Sequence, residues 1–407
     1  MKIIKGGVTS PKGFKAAGVK AGIKYENRLD MAMIFSDKPC VSAGVFTSNV
    51  VKAAPVLWDI KVVKEGPGVQ AVVVNTGIAN AGTGKQGMDL CEFEAEKAAD
   101  LLGIKKESVI VGSTGVIGAQ LNKDRLEKGI EALVPALGTS RDHAETASKA
   151  IMTTDTVNKE AAAEIEIDGK KVTIAGMSKG SGMIHPNMCT MLGYITTDID
   201  IDKDLLQKAL SEDVKDTFNM ITVDGDTSTN DTLIVMANGE AKNKRITEEN
   251  EDYREFREAL HYVNRILARK MAADGEGASK LIEVVVENAG DKESARTLAR
   301  SVAGSSLTKA AMFGNDSNFG RILCALGYSG VDFDPDRVDI SYEAEGERML
   351  IFSKGLQAEY DEAEATKLLD HKEVKIICDM NSGSESATAW GCDLTYDYVK
   401  INADYRS

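Results

Sequence analysis

Short runs rich in Val and Ile alternate along this chain with longer segments whose apolar residues recur three and four positions apart. The first pattern is typical of buried β-strands, and the second is typical of amphipathic helices that pack on a sheet. Hairpin signals occur between them as well as longer crossovers. The sequence therefore predicts an α/β fold built of mixed α+β layers rather than a pure doubly wound sheet.

Several segments carry each pattern clearly enough to be assigned. The predicted strands are residues 70–75, 109–111, 233–236, 281–286, 374–378 and 394–401. The predicted helices are residues 88–102, 121–137, 141–152, 204–218, 251–273 and 293–312. The segment "AEIEIDGKKVTIAG" alternates apolar and polar residues on both sides of Asp168-Gly169, a pair suited to the positive φ angles of a tight turn. This segment predicts a β-hairpin.

The length of the chain predicts more than one domain. With 407 residues, of which 43% are apolar and 28% charged, the chain can bury two good cores. The glycine-bearing stretch "DGEGASK" follows the long helix 251–273 and places a boundary near residue 280. We expect a main α/β domain over residues 1–280 and a smaller α/β unit with a βαββαβ-like order over residues 281–407.

The sequence lacks features that would direct it to a membrane or an oxidising compartment. Its longest apolar runs stop far short of the roughly 20 residues that span a bilayer, and its first residues include no apolar stretch of signal-peptide length. Six cysteines lie far apart without a C-x-x-C pair, which suits reduced thiols. Four histidines show no metal-ligand spacing. We therefore expect a cytoplasmic protein without a bound metal.

The net charge favours a small-molecule partner. It is −14 and is spread evenly, with no basic block or basic face that carries aromatic residues. Nucleic acids and anionic membranes should therefore be repelled rather than attracted.

Two glycine-bearing motifs resemble ligand loops but depart from them. "GSTGVIG", residues 112–118, has the spacing G-x-x-G-x-x-G rather than that of a dinucleotide or phosphate loop, so a tight turn is the simpler interpretation. Such a turn after a strand can also aim backbone N–H groups at a developing oxyanion. "DGDTSTND", residues 224–231, has Thr229 and Val235 where a calcium loop needs Gly and Glu, which excludes calcium.

The stretch "KGSGMIHPNMCTML", residues 179–192, contains three candidate nucleophiles or bases: His185, Cys189 and Thr190. A buried free thiol and a loop histidine are the plain interpretation of the first two. Thr190 could act as a nucleophile if the Cys189–Thr190 bond were cut, because a free α-amine beside its own hydroxyl would serve as the base. Threonine within a strand remains the simpler alternative.

Long motifs across the chain resemble the ornithine acetyltransferase family, the glutamate N-acetyltransferases of arginine biosynthesis. They are "GVTSPKGFKAAGVKAGIK", "VVVNTGIANAGTG", "GSTGVIG", "MTTDT", "KGSGMIHPNMCTMLGYITTD", "VDGDTSTND", "DGEGASK" and "GCDLTYDYVKINADYRS". The resemblance implies the layered sandwich of that family and a precursor that cuts itself between Cys189 and Thr190, giving an α chain (1–189) and a β chain (190–407). It also implies ping-pong transfer of an acetyl group from N2-acetylornithine to glutamate through Thr190.

The resemblance also assigns roles to individual residues. It implies that Thr190 is the nucleophile and that Thr114 and Gly115 form the oxyanion hole. The implied substrate contacts are Thr153, Lys179, Thr190, Glu276, Asn402 and Ser407. Lys179 would pair with the α-carboxylate of the substrates, and Glu276 would receive an ammonium group or handle protons. A role for Asn402 and Ser407 requires the C-terminal segment to fold back onto the site.

Three positions depart from the family's common pattern. Cys189 replaces an alanine, and Ser317 and Phe319 stand where proline and tryptophan are common. The small Cys189 side chain should not block cleavage, although its thiol could compete as a nucleophile. The other two positions affect packing in the C-terminal unit and change none of the implied site residues.

Two alternatives to the acetyltransferase remain open from the sequence. One is a self-processing amidohydrolase or aminopeptidase of similar fold, and the other is a metabolite-binding protein without catalysis. The family further implies an α2β2 assembly and no cofactor, with acetyl-CoA as an open second donor.

Overall fold

The computed structural model describes residues 1–185 and 191–404, which form two compact units. The described residues of unit 1 lie within Met1–Gly180, Pro186–Phe218 and Thr227–Leu267. Those of unit 2 lie within Ser181–His185, Asn219–Asp226 and Ala268–Ser407. The domain boundary near residue 280 stays a prediction.

Unit 1 combines a large sheet with helices. Its strands in the described residues are β1 (Lys2–Ile3), β2 (Phe14–Val19), β3 (Met31–Phe46), β4 (Val69–Ile78), β5 (Val109–Val116), β6 (Lys159–Ile167), β7 (Lys170–Lys179), β8 (Leu192–Thr197) and β9 (Thr232–Ala237). Its helices there are α1 (Ala54–Glu65), α2 (Gly84–Leu102), α3 (Lys123–Ala136), α4 (Arg141–Ala150), α5 (Lys203–Asp213) and the larger part of α6 (Glu251–Ala273).

The long strand β3 joins the two halves of this sheet. The strand order is β1-β6-β7-β8-β9-β3-β4-β5, and β2 also pairs with β3. Met31–Phe35 pair with β2 and β4, whereas Val41–Phe46 pair with β9. The register shifts between Phe35 and Cys40, which is where a bulge lets one strand bend and serve two neighbours.

A buried apolar core lies between the two halves of the sheet. Phe14 and Ile34 from one half cluster with Met177, Tyr194 and Ile234 from the other. The opposite face of the β2–β5 half is covered by α2 and α3. Each half thus buries apolar residues, which accounts for the Val- and Ile-rich runs and produces the layered arrangement that the sequence predicts.

Unit 2 is a smaller sheet with helices. Its elements in the described residues are β10 (Leu281–Ala289), α7 (Lys292–Gly304), α8 (Ser306–Phe313), α9 (Phe319–Gly327), β11 (Asp339–Ala344), β12 (Glu347–Ser353), β13 (Leu356–Gln357), α10 (Glu362–Leu369), β14 (Glu373–Asp379), β15 (Glu385–Cys392) and α11 (Tyr396–Ala403). The strand order is β13-β12-β11-β14-β10-β15. This sequence of elements includes the predicted βαββαβ-like order.

One local prediction, a β-hairpin, is confirmed, and another, a strand near the C-terminus, is wrong. The predicted hairpin is confirmed, since β6 and β7 flank Asp168 and Gly169, whose φ angles are 51° and 68°. The predicted strand over residues 394–401 is wrong, because α11 occupies that stretch. Its alternating residues do not cover an apolar face, and the Thr395 side chain caps the helix by accepting a hydrogen bond from the Tyr398 N–H.

The predicted helix over residues 293–312 is two helices. α7 ends at Gly304, and Ser305 caps the start of α8 through its side chain, which accepts a hydrogen bond from the Thr308 N–H. A capping serine inside an apolar periodic segment is therefore a sufficient reason for the break.

Two further findings concern the described residues. Their helices include no apolar segment of membrane-spanning length. The five cysteines among them, which exclude Cys189, are free thiols.

Candidate active site

Strand β5 carries near its end the pair that the resemblance assigns to the oxyanion hole. β5 runs parallel to β4, with Thr114 opposite Thr76 and Gly115 opposite Gly77. Gly115 has a φ of 133°, and a Cβ added to it would lie 2.2 Å from the carbonyl carbon of Gly77. Any larger residue at position 115 would therefore collide with the neighbouring strand.

A buried amide fixes the backbone just before this pair. Asn230 Nδ2 donates hydrogen bonds to the carbonyl oxygens of Ser113, at 2.8 Å, and Ala79, at 2.6 Å. The Ser113 hydroxyl donates to Asn75 Oδ1 at 2.6 Å. These side chains are buried, so their hydrogen bonds hold the end of β5 in one position relative to β4.

Lys179 is the last residue of β7, and the fold brings it to Thr114. The lysine is only 7% exposed, and its Nζ lies 3.3 Å from Thr114 Oγ1, within hydrogen-bond distance. A largely buried ammonium group beside a hydroxyl can bind a carboxylate more strongly than an exposed lysine, because less water competes. The structure thus joins two predicted site residues that are 65 positions apart in the chain.

Asp155 lies at the centre of a buried network beside Lys179. Its Oδ1 accepts hydrogen bonds from Lys159 Nζ and from the Gly180 N–H, both at 2.7 Å, and its Oδ2 accepts one from the Thr153 N–H at 3.0 Å. Burial alone would raise the pKa of Asp155, but the charges of Lys179 and Lys159 together with these hydrogen bonds hold that pKa below its ordinary range. Asp155 is therefore ionised at neutral pH.

The predicted substrate contact Thr153 is held from two sides. Its N–H donates to Asp155, and its carbonyl oxygen accepts a hydrogen bond from Arg28 Nη1 at 3.2 Å. Arg28 Nη2 also donates to the carbonyl oxygen of Met152 at 2.5 Å. The loop between α4 and β6 is thereby fixed next to the start of the network that contains Lys179.

A second group of predicted site residues meets within unit 2. The Glu276 carboxylate accepts a hydrogen bond from Asn402 Nδ2 at 2.8 Å, and the Glu276 N–H donates to the Ser181 carbonyl oxygen at 2.8 Å. Asn402 lies on α11, so the C-terminal helix packs its amide against Glu276. A Cβ on Gly182 would come within 2.2 Å of a Glu276 oxygen, so a side chain at position 182 would displace the Glu276 carboxylate.

Three predicted site residues, Cys189, Thr190 and Ser407, lie outside the described residues. His185, the last described residue before the first two, is placed: its Nδ1 lies 3.0 Å from the Thr222 hydroxyl oxygen. Burial lowers the pKa of His185, and the positive charge of Arg300 lowers it further.

Three buried residues of this region were missed by the sequence analysis. Asp155 lies within the motif "MTTDT" and Asn230 within "VDGDTSTND", but the resemblance implies no role for either residue. Lys159, which is completely buried, opens β6 and gave no signal except a charged residue at the start of an apolar strand. Their partners are distant in the chain or are backbone groups, and such pairings are not visible in local patterns.

Comparison with known proteins decides the family. A profile described as the ArgJ family matches residues 15–407. The arginine biosynthesis bifunctional protein ArgJ of Thermotoga neapolitana is 51% identical to this chain over 398 residues, covering 98% of this chain and 99% of the relative. The protein of the same name from Symbiobacterium thermophilum is 52% identical over 409 residues and is covered completely, as is this chain. The chain belongs to the ArgJ family.

A solved structure supports the fold of this ArgJ-family chain. The crystal structure of the arginine biosynthesis bifunctional protein from Bacillus halodurans is 45% identical, with a TM-score of 0.50. The match covers 52% of this chain and 97% of that one. The resemblance read from the motifs, the α/β fold class and the assignment to the acyltransferases of arginine biosynthesis are thus confirmed.

Proposed function

We propose that this protein transfers an acetyl group from N2-acetylornithine to glutamate, giving ornithine and N-acetylglutamate, after cutting itself between Cys189 and Thr190. The observation that carries the proposal is the contact between the Lys179 ammonium group and the Thr114 hydroxyl, at 3.3 Å. This contact supports Lys179 as the binding group for the α-carboxylate that both substrates carry, next to the proposed oxyanion hole.

The proposed self-cleavage proceeds through an ester. Thr190 Oγ attacks the carbonyl carbon of Cys189, and the C–N bond between the two residues breaks as the Thr190 nitrogen takes the hydroxyl proton. Water then hydrolyses the ester, leaving a carboxylate on Cys189 and a free hydroxyl and α-amine on Thr190. Thr114 and Gly115 would stabilise the oxyanion that forms in each addition.

The proposed transfer uses the new amine as its base. The Thr190 amine takes the proton of its own hydroxyl while Oγ attacks the acetyl carbonyl of N2-acetylornithine. Collapse of the tetrahedral intermediate releases ornithine, whose amine receives that proton, and leaves acetyl-Thr190. The amine of glutamate then attacks the ester carbonyl, the bond between Oγ and the acetyl carbon breaks, and the proton lost by the glutamate amine passes through the Thr190 amine to Oγ. N-acetylglutamate leaves, and Thr190 is regenerated.

The remaining proposed site residues bind the substrates. Lys179 would pair with the α-carboxylate, with the Thr153 loop beside it. Glu276, a buried residue whose carboxylate accepts a hydrogen bond from the Asn402 amide, would bind the side-chain ammonium group of ornithine or carry protons. Ser407 is proposed as a further contact on the resemblance alone.

The length of the solved relative supports the self-cleavage. That polypeptide matches along 97% of its own length yet covers 52% of this chain. A chain of about half length is what a cut between residues 189 and 190 would produce. Full-length relatives such as that of Thermotoga neapolitana align over nearly the whole sequence, which suits precursors.

We further propose a second acetyl donor, an oligomeric assembly and a cellular location. The relatives are named bifunctional, which supports acetyl-CoA as a second acetyl donor for glutamate. The family implies an α2β2 assembly of two cut chains. Free thiols at the five described cysteines suit a cytoplasmic location, because disulfides persist in oxidising compartments.

Mass spectrometry of the purified protein tests the cleavage, and a substrate assay tests the transfer. We expect two polypeptides, residues 1–189 and 190–407, and formation of ornithine together with N-acetylglutamate from N-acetylornithine and glutamate. Thr190→Ala should stay whole and inactive, whereas Thr190→Ser keeps a hydroxyl and an amine and should do both reactions.

Each alternative predicts a different result in the same assays. An unbroken polypeptide that carries full activity would contradict the proposal, and an unbroken inactive one would favour a binding protein. Ornithine released without N-acetylglutamate would indicate a hydrolase. Replacing N-acetylornithine with acetyl-CoA in the same assay tests the second donor.

A further inference from the structure

Residues 181–185, which immediately precede the proposed cleavage region, are held by hydrogen bonds to other parts of unit 2. The Ser181 carbonyl oxygen accepts from the Glu276 N–H at 2.8 Å, and the Ile184 carbonyl oxygen accepts from the Val223 N–H at 2.6 Å. His185 adds the contact with Thr222 described above. The segment is thus attached along most of its length.

A single carboxylate makes the densest of these attachments. Asp224 Oδ2 accepts a hydrogen bond from the Met183 N–H at 2.6 Å, and Asp224 Oδ1 accepts one from the Ile184 N–H at 2.8 Å. The Asp226 N–H donates to the same Oδ1 at 3.2 Å, and the Tyr398 hydroxyl is also hydrogen-bonded to Asp224. Asp224 opens the "DGDTSTND" motif, whose resemblance to a calcium loop is misleading.

The backbone that Asp224 holds is in an unusual conformation. Met183 has a φ of 54°, in the left-handed region that residues other than glycine rarely occupy. Two successive N–H groups that converge on one anion form a nest, and a carboxylate with both oxygens engaged stabilises that arrangement. Without the carboxylate, the N–H groups of Met183 and Ile184 lose these two hydrogen bonds, and the left-handed turn at Met183 loses that support.

The chain is also anchored immediately after the proposed cleavage site, within unit 1. The Met191 carbonyl oxygen accepts a hydrogen bond from the Thr232 N–H at 2.8 Å, and β8 begins at the next residue. β8 pairs with β7 on one side and with β9 on the other. The peptide bond that is proposed to break therefore lies in a short stretch whose two flanks are both hydrogen-bonded.

We propose that Asp224 is a positioning residue for self-cleavage: it fixes the left-handed turn at Met183, from which the chain continues towards the proposed scissile bond. An intramolecular attack is faster when fewer conformations compete with the reactive one. This inference rests on the proposed self-cleavage. It assigns Asp224 no role in acetyl transfer by molecules that are already cut.

The test follows cleavage of newly made full-length chains over time on a denaturing gel, after a pulse of label in cell-free synthesis. Asp224→Asn keeps the shape of the side chain but places an NH2 group against one of the two N–H donors. We expect it to cut at least ten-fold more slowly than the wild type. The matched control is Asp226→Asn, an exposed carboxylate two positions away, which should cut at the wild-type rate.

Two additional measurements separate positioning from a general loss of structure. Activity of Asp224→Asn per cut molecule should match the wild type, and its thermal unfolding midpoint should change little. In Asp224→Ala, added sodium formate should accelerate cleavage relative to sodium chloride of equal ionic strength, because formate can occupy the vacated carboxylate position. Restoration by formate would not follow from misfolding.

The possible outcomes distinguish this inference from the proposed function. A wild-type chain that never cuts would overturn the self-cleavage itself. A wild type that cuts while Asp224→Asn cuts equally fast would overturn only the role of Asp224. If both Asp224 variants cut slowly but formate has no effect on Asp224→Ala, the positioning role is also rejected.

Discussion

A completely buried lysine needs a negative charge beside it, and in this protein Asp155 supplies that charge. Lys159 is 0% exposed, and its Nζ lies 2.7 Å from Asp155 Oδ1. Removing one partner of such a pair leaves an isolated charge in a poorly solvated interior. The same carboxylate holds the backbone at Thr153 and Gly180. The carboxylate that balances the charge of Lys159 therefore also holds the backbone next to Lys179.

A second buried carboxyl group of unit 1, that of Glu94, has a raised pKa, whereas the pKa of Asp155 is lowered. Glu94 on α2 is 1% exposed, and its Oε1 has no hydrogen-bond partner within the part of the chain that the structure describes. Burial raises the pKa of Glu94 from 4.5 to about 8. The folded protein thus keeps this group protonated at neutral pH, whereas the unfolded chain ionises it. The contribution of Glu94 to the free energy of unfolding is fully present below about pH 4.5 and is lost as the pH rises towards 8.

Glu94→Gln should remove this pH dependence, because glutamine is neutral in both states. We expect the variant to be more stable than the wild type near pH 8, by on the order of a few kcal/mol, with the difference vanishing near pH 4.5. Chemical denaturation across this pH range measures the effect. Glu96→Gln, an exposed carboxyl on the same helix, is the control and should follow the wild type. Parallel curves for Glu94→Gln and the wild type would contradict the argument.

Sequence patterns predict the site residues only where the resemblance names them. Thr114, Gly115 and Lys179 were expected from their motifs, and the structure brings Lys179 to Thr114. Asp155 and Asn230 were not expected as partners, because each acts on backbone groups far along the chain. The role of a buried polar side chain can be recognised only when the positions of its hydrogen-bond partners are known. Those partners are distant in the sequence, so their positions come from the fold.

Among the helices, α11 depends on its cap more than on burial. None of its residues is buried, and Thr395 both accepts from the Tyr398 N–H at 3.3 Å and donates to the Gly277 carbonyl oxygen at 2.7 Å. The helix in turn presents the Asn402 amide to Glu276. Loss of the cap should therefore loosen this contact without disturbing either core.

Thr395→Ala tests this dependence. Removing an N-cap side chain costs about 1 kcal/mol of local helix stability. We expect KM for N-acetylornithine to rise roughly five-fold, the ratio that corresponds to that cost, while the thermal unfolding midpoint changes little. Thr366→Ala on the exposed face of α10 is the control and should leave KM unchanged. A lowered unfolding midpoint with unchanged KM would show that the cap serves global stability instead.

Strands and helices are predicted correctly where the buried residues follow the periodicity seen in the sequence. β4, β9 and β10 were expected from their apolar runs, and α6 has the predicted bounds. The sequence does not predict the bend of β3, because the bend depends on the strands that pair with the first and last parts of β3, and these pairings are not visible in local patterns. In the segment of α11, the alternation of side chains favours a strand. The structure has a helix there instead, which the capping side chain of Thr395 and contacts with distant residues stabilise.

For the whole molecule, the proposed assembly makes a simple prediction. Light scattering of the native protein should give twice the 43.7 kDa of one chain, because the α2β2 proposal places two cut chains together. Denaturation should then release two kinds of polypeptide in equal amounts. A native mass of 43.7 kDa would contradict the assembly while leaving the cleavage intact.

The strand order of unit 1 has a consequence for any cut at residue 189. β8 and β9 come from the later part of the sequence, and they lie between β7 and β3, which come from the earlier part. The two products would be interleaved in one hydrogen-bonded sheet, and neither could leave without exposing unpaired strand edges. The backbone would be severed, yet no piece would be detachable.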